Sequence, residues 1–219
     1  VTVTDGNGCT TTAQVIITQP LVLQAFASVV STYNNQDLTC FGAANGITGV
    51  TTSGGTAPFT YLWSNGDTTA LSSGLTSGTY SVTLTDANGC TATSSITVVD
   101  PPLLVIQINN TSTVNCSGVA TGSATAVVTG GTPGYSYSWD NGQTTQNATN
   151  LSFGVHQVTV VDANGCSQTM SANIDPPPAF TAVVIDIIDV SCNGGSNGAS
   201  FIDVTGGTPP YTYIWSNGA

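Results

Sequence analysis

Thr85-Asp86-Ala87-Asn88-Gly89-Cys90 is the stretch around which the rest of the chain falls into register. It returns as Val161-Asp162-Ala163-Asn164-Gly165-Cys166 and, near the start, as Thr4-Asp5-Gly6-Asn7-Gly8-Cys9. A second landmark occupies residues 54–63, 130–139 and 206–215: Gly-Gly-Thr, then an aromatic residue, a Tyr and a Trp at alternate positions. Trp63, Trp139 and Trp215 are spaced 76 residues apart, as are Cys40, Cys116 and Cys192. A fixed period of this length signals an array of near-identical modules.

The period divides the chain into the end of one repeat (1–20), two full repeats (21–101 and 102–177) and the start of another (178–219). The first full repeat carries five extra residues, since Cys9 and Cys40 are 31 apart and Cys90 and Cys116 only 26. The excess falls in the loop-like stretch 31–37. Pro101-Pro102 and Pro176-Pro177-Pro178 punctuate the boundaries, where proline removes donors and stiffens the joint. Both ends lie inside a repeat, so the expectation is a window on a longer polypeptide.

Within a repeat the pattern is that of antiparallel strands. Residues 1–4 and 12–18 read as two strands joined by the loop at Asp5. Residues 123–129 alternate small apolar and polar side chains, and Tyr135, Tyr137 and Trp139 alternate with serine, so the aromatics share one face. Asn141-Gly142 follows at once, a type I′ hairpin signal. Residues 156–161 and 167–174 flank the Asp162 loop as two further strands. Short β-branched runs broken by Asn-Gly and Gly-Gly predict about seven strands per repeat. The fold class is all-β: tandem immunoglobulin-like, PKD-like β-sandwich modules of about 76 residues in an extended array.

Charge excludes several functions. The chain has no Lys or Arg, and all eleven acidic residues are Asp, for a formal charge of −11. Phosphate and anionic lipid both require cationic side chains, so nucleic acid and acidic membrane surfaces are excluded as partners. No apolar run approaches the roughly 20 residues that span a bilayer, so membrane insertion is not expected. Apolar residues reach 40%, enough for a packed core. Six cysteines at repeating positions in a Thr-, Ser-, Gly- and Asn-rich β chain suggest an oxidising, extracellular setting.

From Tyr-x-Trp-x-Asn-Gly through Gly78-Thr79-Tyr80 to Asp86-Ala87-Asn88-Gly89-Cys90, the sequence resembles the SprB-repeat family of Bacteroidota cell-surface proteins. More distantly it is similar to PKD-type immunoglobulin-like domains. The resemblance covers the whole chain, with His156 standing where the first repeat has Tyr80, and Gly134 departing from the Pro209-Pro210-Tyr211 pattern. It implies a segment of a very large repetitive adhesin or filament on the bacterial surface. Such proteins are exported by the type IX route and used for attachment, gliding or prey contact. The family carries no catalytic residues to transfer.

Several residues could hold a function. Trp63, Trp139 and Trp215, with Tyr61, Tyr137, Tyr213 and Tyr80, read as sandwich core; a carbohydrate-stacking row is the alternative. Asp86, Asn88, Asp162 and Asn164 sit in an Asp-x-Asn-Gly pattern shared with part of a calcium loop, but the further oxygen ligands are absent, and a turn capped by Asp is favoured. Asp100 and Asp175, beside the linker prolines, are the other calcium candidates. No further cofactor is expected. His156, the lone histidine, reads as an exchange for tyrosine rather than as part of a Ser-His-Asp set.

In an immunoglobulin-like repeat, Cys116 and Cys166 belong at opposite poles, roughly 25 Å apart, too far for a disulfide. Between stacked repeats the poles meet, which favours a Cys40–Cys166 bond, with Cys9, Cys90, Cys116 and Cys192 pairing to repeats outside the sequence. A strand-pair scheme (Cys9–Cys40, Cys90–Cys116, Cys166–Cys192) and free thiols are the alternatives. The partners expected are neighbouring repeats of the same chain, identical chains in a bundled filament, and surface polysaccharide. A glycan- or calcium-binding module is the competing function; an enzyme is not expected.

Overall fold

The computed structural model describes residues 1–115, 120–207 and 209–218, with Asn110 described by its backbone alone. It is all-β. In chain order the strands are β1 (Thr2–Thr4), β2 (Thr10–Thr12), β3 (Gln24–Val29), β4 (Gly46–Ser53), β5 (Thr60–Trp63), β6 (Leu71–Leu75), β7 (Gly78–Thr85) and β8 (Thr91–Val98). Then follow β9 (Val105–Ser112), β10 (Gly122–Thr129), β11 (Ser136–Trp139), β12 (Asn147–Leu151), β13 (Gly154–Val161), β14 (Ser167–Ile174), β15 (Phe180–Ile188) and β16 (Ala199–Gly206). Contacts cluster into two compact units, residues 1–102 and 103–219.

The first unit holds the β1–β2 hairpin and a sandwich of two three-stranded sheets, ordered β3-β4-β6 and β5-β7-β8. The second holds a sandwich ordered β12-β10-β9 and β11-β13-β14, and the β15–β16 hairpin. All the pairings are antiparallel. Strands exchanged between two sheets in this order make the immunoglobulin-like arrangement. In each repeat the period-2 pattern turns one face of each sheet inward. Val158 and Val160 of β13 meet Ile106, Ala124, Ala126 and Trp139 across the second core, all of them buried.

Three details differ from the sequence expectation. Among the described residues each sandwich has six strands rather than about seven, and β5 crosses directly to β6 in the opposite sheet. Asn65-Gly66 and Asn141-Gly142 therefore do not close same-sheet hairpins, and neither Asn has positive φ, as type I′ requires. These turns instead carry the Trp63 N–H to the Asp67 carbonyl at 2.8 Å and the Trp139 N–H to Gln143 at 2.9 Å. Last, β2 ends at Thr12, where Thr2↔Thr12 is the last pair of its register, and does not run to Thr18.

The five extra residues form a tight turn of their own. Tyr33 and Gln36 exchange backbone hydrogen bonds at 2.9 and 3.0 Å around Asn34 and Asn35, both with positive φ. The loop then lowers Leu38 into the core, fully buried, as the shorter loop does with Val114.

Candidate functional site

The two sequence landmarks meet at one pole of each sandwich. In the Asp86 loop, the Cys90 and Asn88 backbone N–H groups donate to Asp86 Oδ1 at 2.8 and 2.9 Å. The Gly89 N–H donates to the Asp86 carbonyl, and only Gly89 of the Asn-Gly pair has positive φ. The other carboxylate oxygen, Oδ2, accepts the Thr56 N–H at 3.0 Å, thirty residues away. Thr56 returns the contact twice: its carbonyl accepts the Ala87 N–H at 2.9 Å, and its hydroxyl oxygen accepts from Asn88 Nδ2 at 3.0 Å. The second repeat rebuilds the clasp, with Asp162 Oδ2 accepting the Thr132 N–H at 2.8 Å. Asp5 makes the local half, accepting the Asn7 and Cys9 N–H groups.

Burial pushes the Asp86 carboxyl up, and the Cys90, Thr56 and Asn88 amides together outweigh it, holding the group below the usual aspartate value. Both oxygens are thus committed to backbone donors. Asp100 is committed as well, accepting from the Gly42 N–H and Ser77 hydroxyl at 2.9 and 2.5 Å. Asp175 Oδ1 accepts from Asn173 Nδ2 at 2.7 Å. Among the described residues, no three of His, Cys, Asp and Glu stand together as a metal-holding group.

The double glycine before Thr56 is needed for close approach. Gly54 and Gly130 have φ of +70° and +69°, and a Cβ there would fall 2.1 Å from the Val22 carbonyl oxygen and 1.8 Å from that of Leu103. The turn is pressed onto the segment entering the first strand, and no side chain fits between.

Trp63 and Trp139 are 1% and 2% exposed, with Nε1 donating to the Thr69 and Thr145 carbonyls at 2.9 Å. Tyr61 and Tyr137 are half-buried against the two cores. Burial, and then neighbouring Tyr135, raise the Tyr137 phenol above its ordinary value. Trp215 and Tyr213 are more open, at 36% and 50%.

His156 has Asp140 on one side, Nδ1 to Oδ1 3.1 Å, and Ser152 on the other. Its Nε2 is 3.0 Å from the Ser152 carbonyl oxygen and 3.4 Å from the Ser152 hydroxyl. This repeats a contact of the first repeat, in which the Tyr80 hydroxyl donates to the Thr76 carbonyl at 3.0 Å and lies 3.4 Å from the Thr76 hydroxyl. The three residue types therefore stand where a tyrosine tie stands in the neighbouring repeat, with imidazole replacing phenol. A second tie escaped sequence reasoning. Asp67 accepts from Ser72 Oγ at 2.6 Å and Asn65 Nδ2 at 3.0 Å, which lower its pKa in that order.

Cys40 and Cys166 are each in the disulfide state, whereas Cys9, Cys90 and Cys192 carry exposed free thiols. Cys116 lies outside the described residues. Within the first sandwich, Cys40 belongs to the pole of Asp100 and Cys90 to that of Thr56. The β7–β8 ladder separates them, running from Gly78↔Val98 to Thr85↔Thr91. Seven steps of a strand make about 24 Å, so no disulfide joins these two.

The 76-residue step also governs the likeness to known sequences. The SprB repeat matches three times, at residues 32–68, 108–144 and 184–219, together half of the chain. The chain belongs to the SprB-repeat family. Each match opens before the second strand of a repeat and takes in the Gly-Gly-Thr turn and the tryptophan; the Asp loops of residues 86–90 and 162–166 fall between matches. SprB repeats occur in cell-surface proteins, and the chain is a repetitive segment of that adhesin-like kind. No curated protein matches it. Among solved structures it is similar to the N-terminal eight Ig domains of Down Syndrome Cell Adhesion Molecule isoform 1.30.30. That likeness has 14% identity and a TM-score of 0.38, covering 84% of this chain and 29% of that one. Murine CEACAM1b is similar at 15% identity and TM-score 0.26, covering 72% of this chain and all of that one. No helix among the described residues is long and apolar enough to cross a membrane.

Proposed function

We propose that these SprB repeats form a stretch of the shaft of a giant extracellular adhesin or filament. It is exported by the type IX route and serves surface attachment, gliding or contact with prey or other cells. The observation that carries this reading is the repetition, at one fixed interval, of a self-contained structural unit. The Asp86–Thr56 clasp, the buried tryptophan and the glycine turn recur as a set, and their polar groups are turned to holding the module together.

A shaft under load gains from covalent joints between modules. The oxidised state of Cys40 and Cys166 supports a Cys40–Cys166 bond linking consecutive repeats, with the free thiols of Cys9, Cys90 and Cys192 pairing to further repeats by the same rule. Peptide mapping without reduction tests it: a cross-linked peptide holding both residues is expected, and any other pairing of either one removes the proposal.

Mass per unit length of the native filament, by dark-field scanning transmission electron microscopy, tests the shaft. One repeat is about 7.6 kDa, and strand rise plus loops advance it about 35–40 Å, so a single-chain shaft gives about 0.2 kDa per Å. An integer multiple would mean chains bundled side by side. A globular particle with no constant value along its length would remove the shaft reading.

A further inference from the structure

Asparagine is chemically labile in proteins, and most so before glycine, whose backbone nitrogen is open to approach. The two complete repeats hold five such pairs, beginning at Asn45, Asn65, Asn88, Asn141 and Asn164. Reaction requires the asparagine carboxamide to swing until its Cγ faces the glycine nitrogen. A carboxamide tied elsewhere must break its ties first.

Four of the five are tied through Nδ2. Asn45 donates to Thr39 Oγ1 at 2.8 Å, and Asn88 and Asn164 donate to the Thr56 and Thr132 hydroxyl oxygens at 3.0 Å. Asn65 donates twice, to Ser72 Oγ at 2.9 Å and to Asp67 Oδ2 at 3.0 Å. Asn141, one period on from Asn65, differs. Its Oδ1 accepts the Gln143 N–H at 3.2 Å, but its Nδ2 has no hydrogen-bond partner among the described residues.

Two substitutions release it. Gln143 stands in place of Asp67 and turns its amide to the Thr149 backbone, donating to the carbonyl at 2.6 Å and accepting the N–H at 3.0 Å. Ala148 stands in place of Ser72 and offers no oxygen. Asn141 and Gly142 are both exposed, so water reaches the pair. The glycine N–H does not separate these turns. Gly66, Gly89, Gly142 and Gly165 all donate to the carbonyl three residues back, at 2.9–3.0 Å.

We propose that Asn141-Gly142 is a site of spontaneous deamidation and isoaspartate formation, the readiest in the two complete repeats. The Gly142 backbone nitrogen bonds to Asn141 Cγ, and the Cγ–Nδ2 bond breaks. The Gly142 proton and the carboxamide nitrogen depart together as ammonia, leaving a succinimide ring. Water then opens the ring, at Cγ to give aspartate or at the main-chain carbonyl carbon to give isoaspartate. The sum is carboxamide plus water going to carboxylate plus ammonium. The product sets a second negative charge next to Asp140, the carboxylate that holds His156. Isoaspartate also adds a methylene to the turn that carries β11 across to β12 in the opposite sheet.

The test is peptide mapping of the 219-residue chain by mass spectrometry during incubation at mildly alkaline pH, native and in urea. In the native chain Asn141 is expected to convert about tenfold faster than Asn65, the effect of two hydrogen bonds of ordinary strength, with isoaspartate among the products. In urea the five sites are expected to converge, because glycine follows each. Gln143→Asp with Ala148→Ser rebuilds the ties of the first repeat and is expected to slow Asn141 to the rate of Asn65. Equal native rates at Asn65 and Asn141 overturn the proposal. So does a lead for Asn141 that persists undiminished in urea, which would place its cause in the local sequence rather than the fold. A native Asn141 that stays intact while the urea sample converts also overturns it. These three readouts depend on no variant folding.

Discussion

Asp86 Oδ2 accepts the backbone N–H of Thr56 at 3.0 Å, and Asp162 does the same for Thr132 at 2.8 Å. The contact ties the hairpin between the last two strands of each repeat to the turn that enters β5 or β11. The module's two most regular motifs are therefore partners in space, each shaped to receive the other.

Stability should depend on pH through this clasp. Asp86 and Asp67 have pKa values below the ordinary 3.8 in the folded chain. A depressed carboxyl favours folding above its unfolded pKa, and that contribution is lost as pH falls through the folded one. Urea midpoints are expected to be flat from neutrality down to about pH 5 and to drop below about pH 4. Asp86→Asn, which removes the charge, is expected to lower the midpoint at pH 7 and to flatten the acid limb.

Thr48 has a fully buried hydroxyl with no hydrogen-bond partner among the described residues, and its counterpart one period on is Ala124. Removing an unsatisfied buried oxygen relieves a desolvation cost. Thr48→Ala is therefore expected to leave stability unchanged or to raise it by up to about 1 kcal/mol, measured by chemical denaturation.

His156 and Asp140 both differ from their counterparts one period earlier. The first repeat has Tyr80 and Ser64 in their places, and Ser64 Oγ accepts the Ser81 N–H at 3.2 Å. In a double-mutant cycle, Asp140→Ser is expected to cost about 0.3–1 kcal/mol beside His156 and close to nothing beside His156→Tyr. His156→Tyr alone should stay within about 0.5 kcal/mol of the parent, since the phenol can donate to the Ser152 carbonyl.

The three tryptophans should differ. Trp139→Ala is expected to cost about 3–5 kcal/mol, leaving a cavity beneath β13. Trp215→Ala should cost much less, because the indole is already 36% exposed. Acrylamide quenching should find one accessible indole and two protected ones.

Alkylation should separate the cysteines by state. Iodoacetamide is expected to label Cys9, Cys90 and Cys192 in the native chain, and Cys40 and Cys166 only after reduction. Mass mapping needs thermolysin or chymotrypsin, because a chain without Lys or Arg gives trypsin no site.

Much of this architecture was legible in the sequence. The period, the strands at β10, β13 and β14, and the turn at Asp86 all follow from alternation and turn chemistry, which act between residues close in the chain. The place of the five extra residues was legible too, although not the Asn34-Asn35 turn they form. What only the tertiary structure decided were the pairings between distant residues. Nothing local to Asn65-Gly66 says that the chain crosses to the other sheet, because the destination of β6 is set by β4, which has a free edge to pair. Nothing local to Asp86 names Thr56 as its partner, thirty residues back. The differences at Tyr80/His156 and Ser64/Asp140 are sixteen residues apart along the chain, yet His156 and Asp140 are in contact in space. Local rules determine which segments become strands and turns, and closure of the sandwich decides which polar groups finally meet.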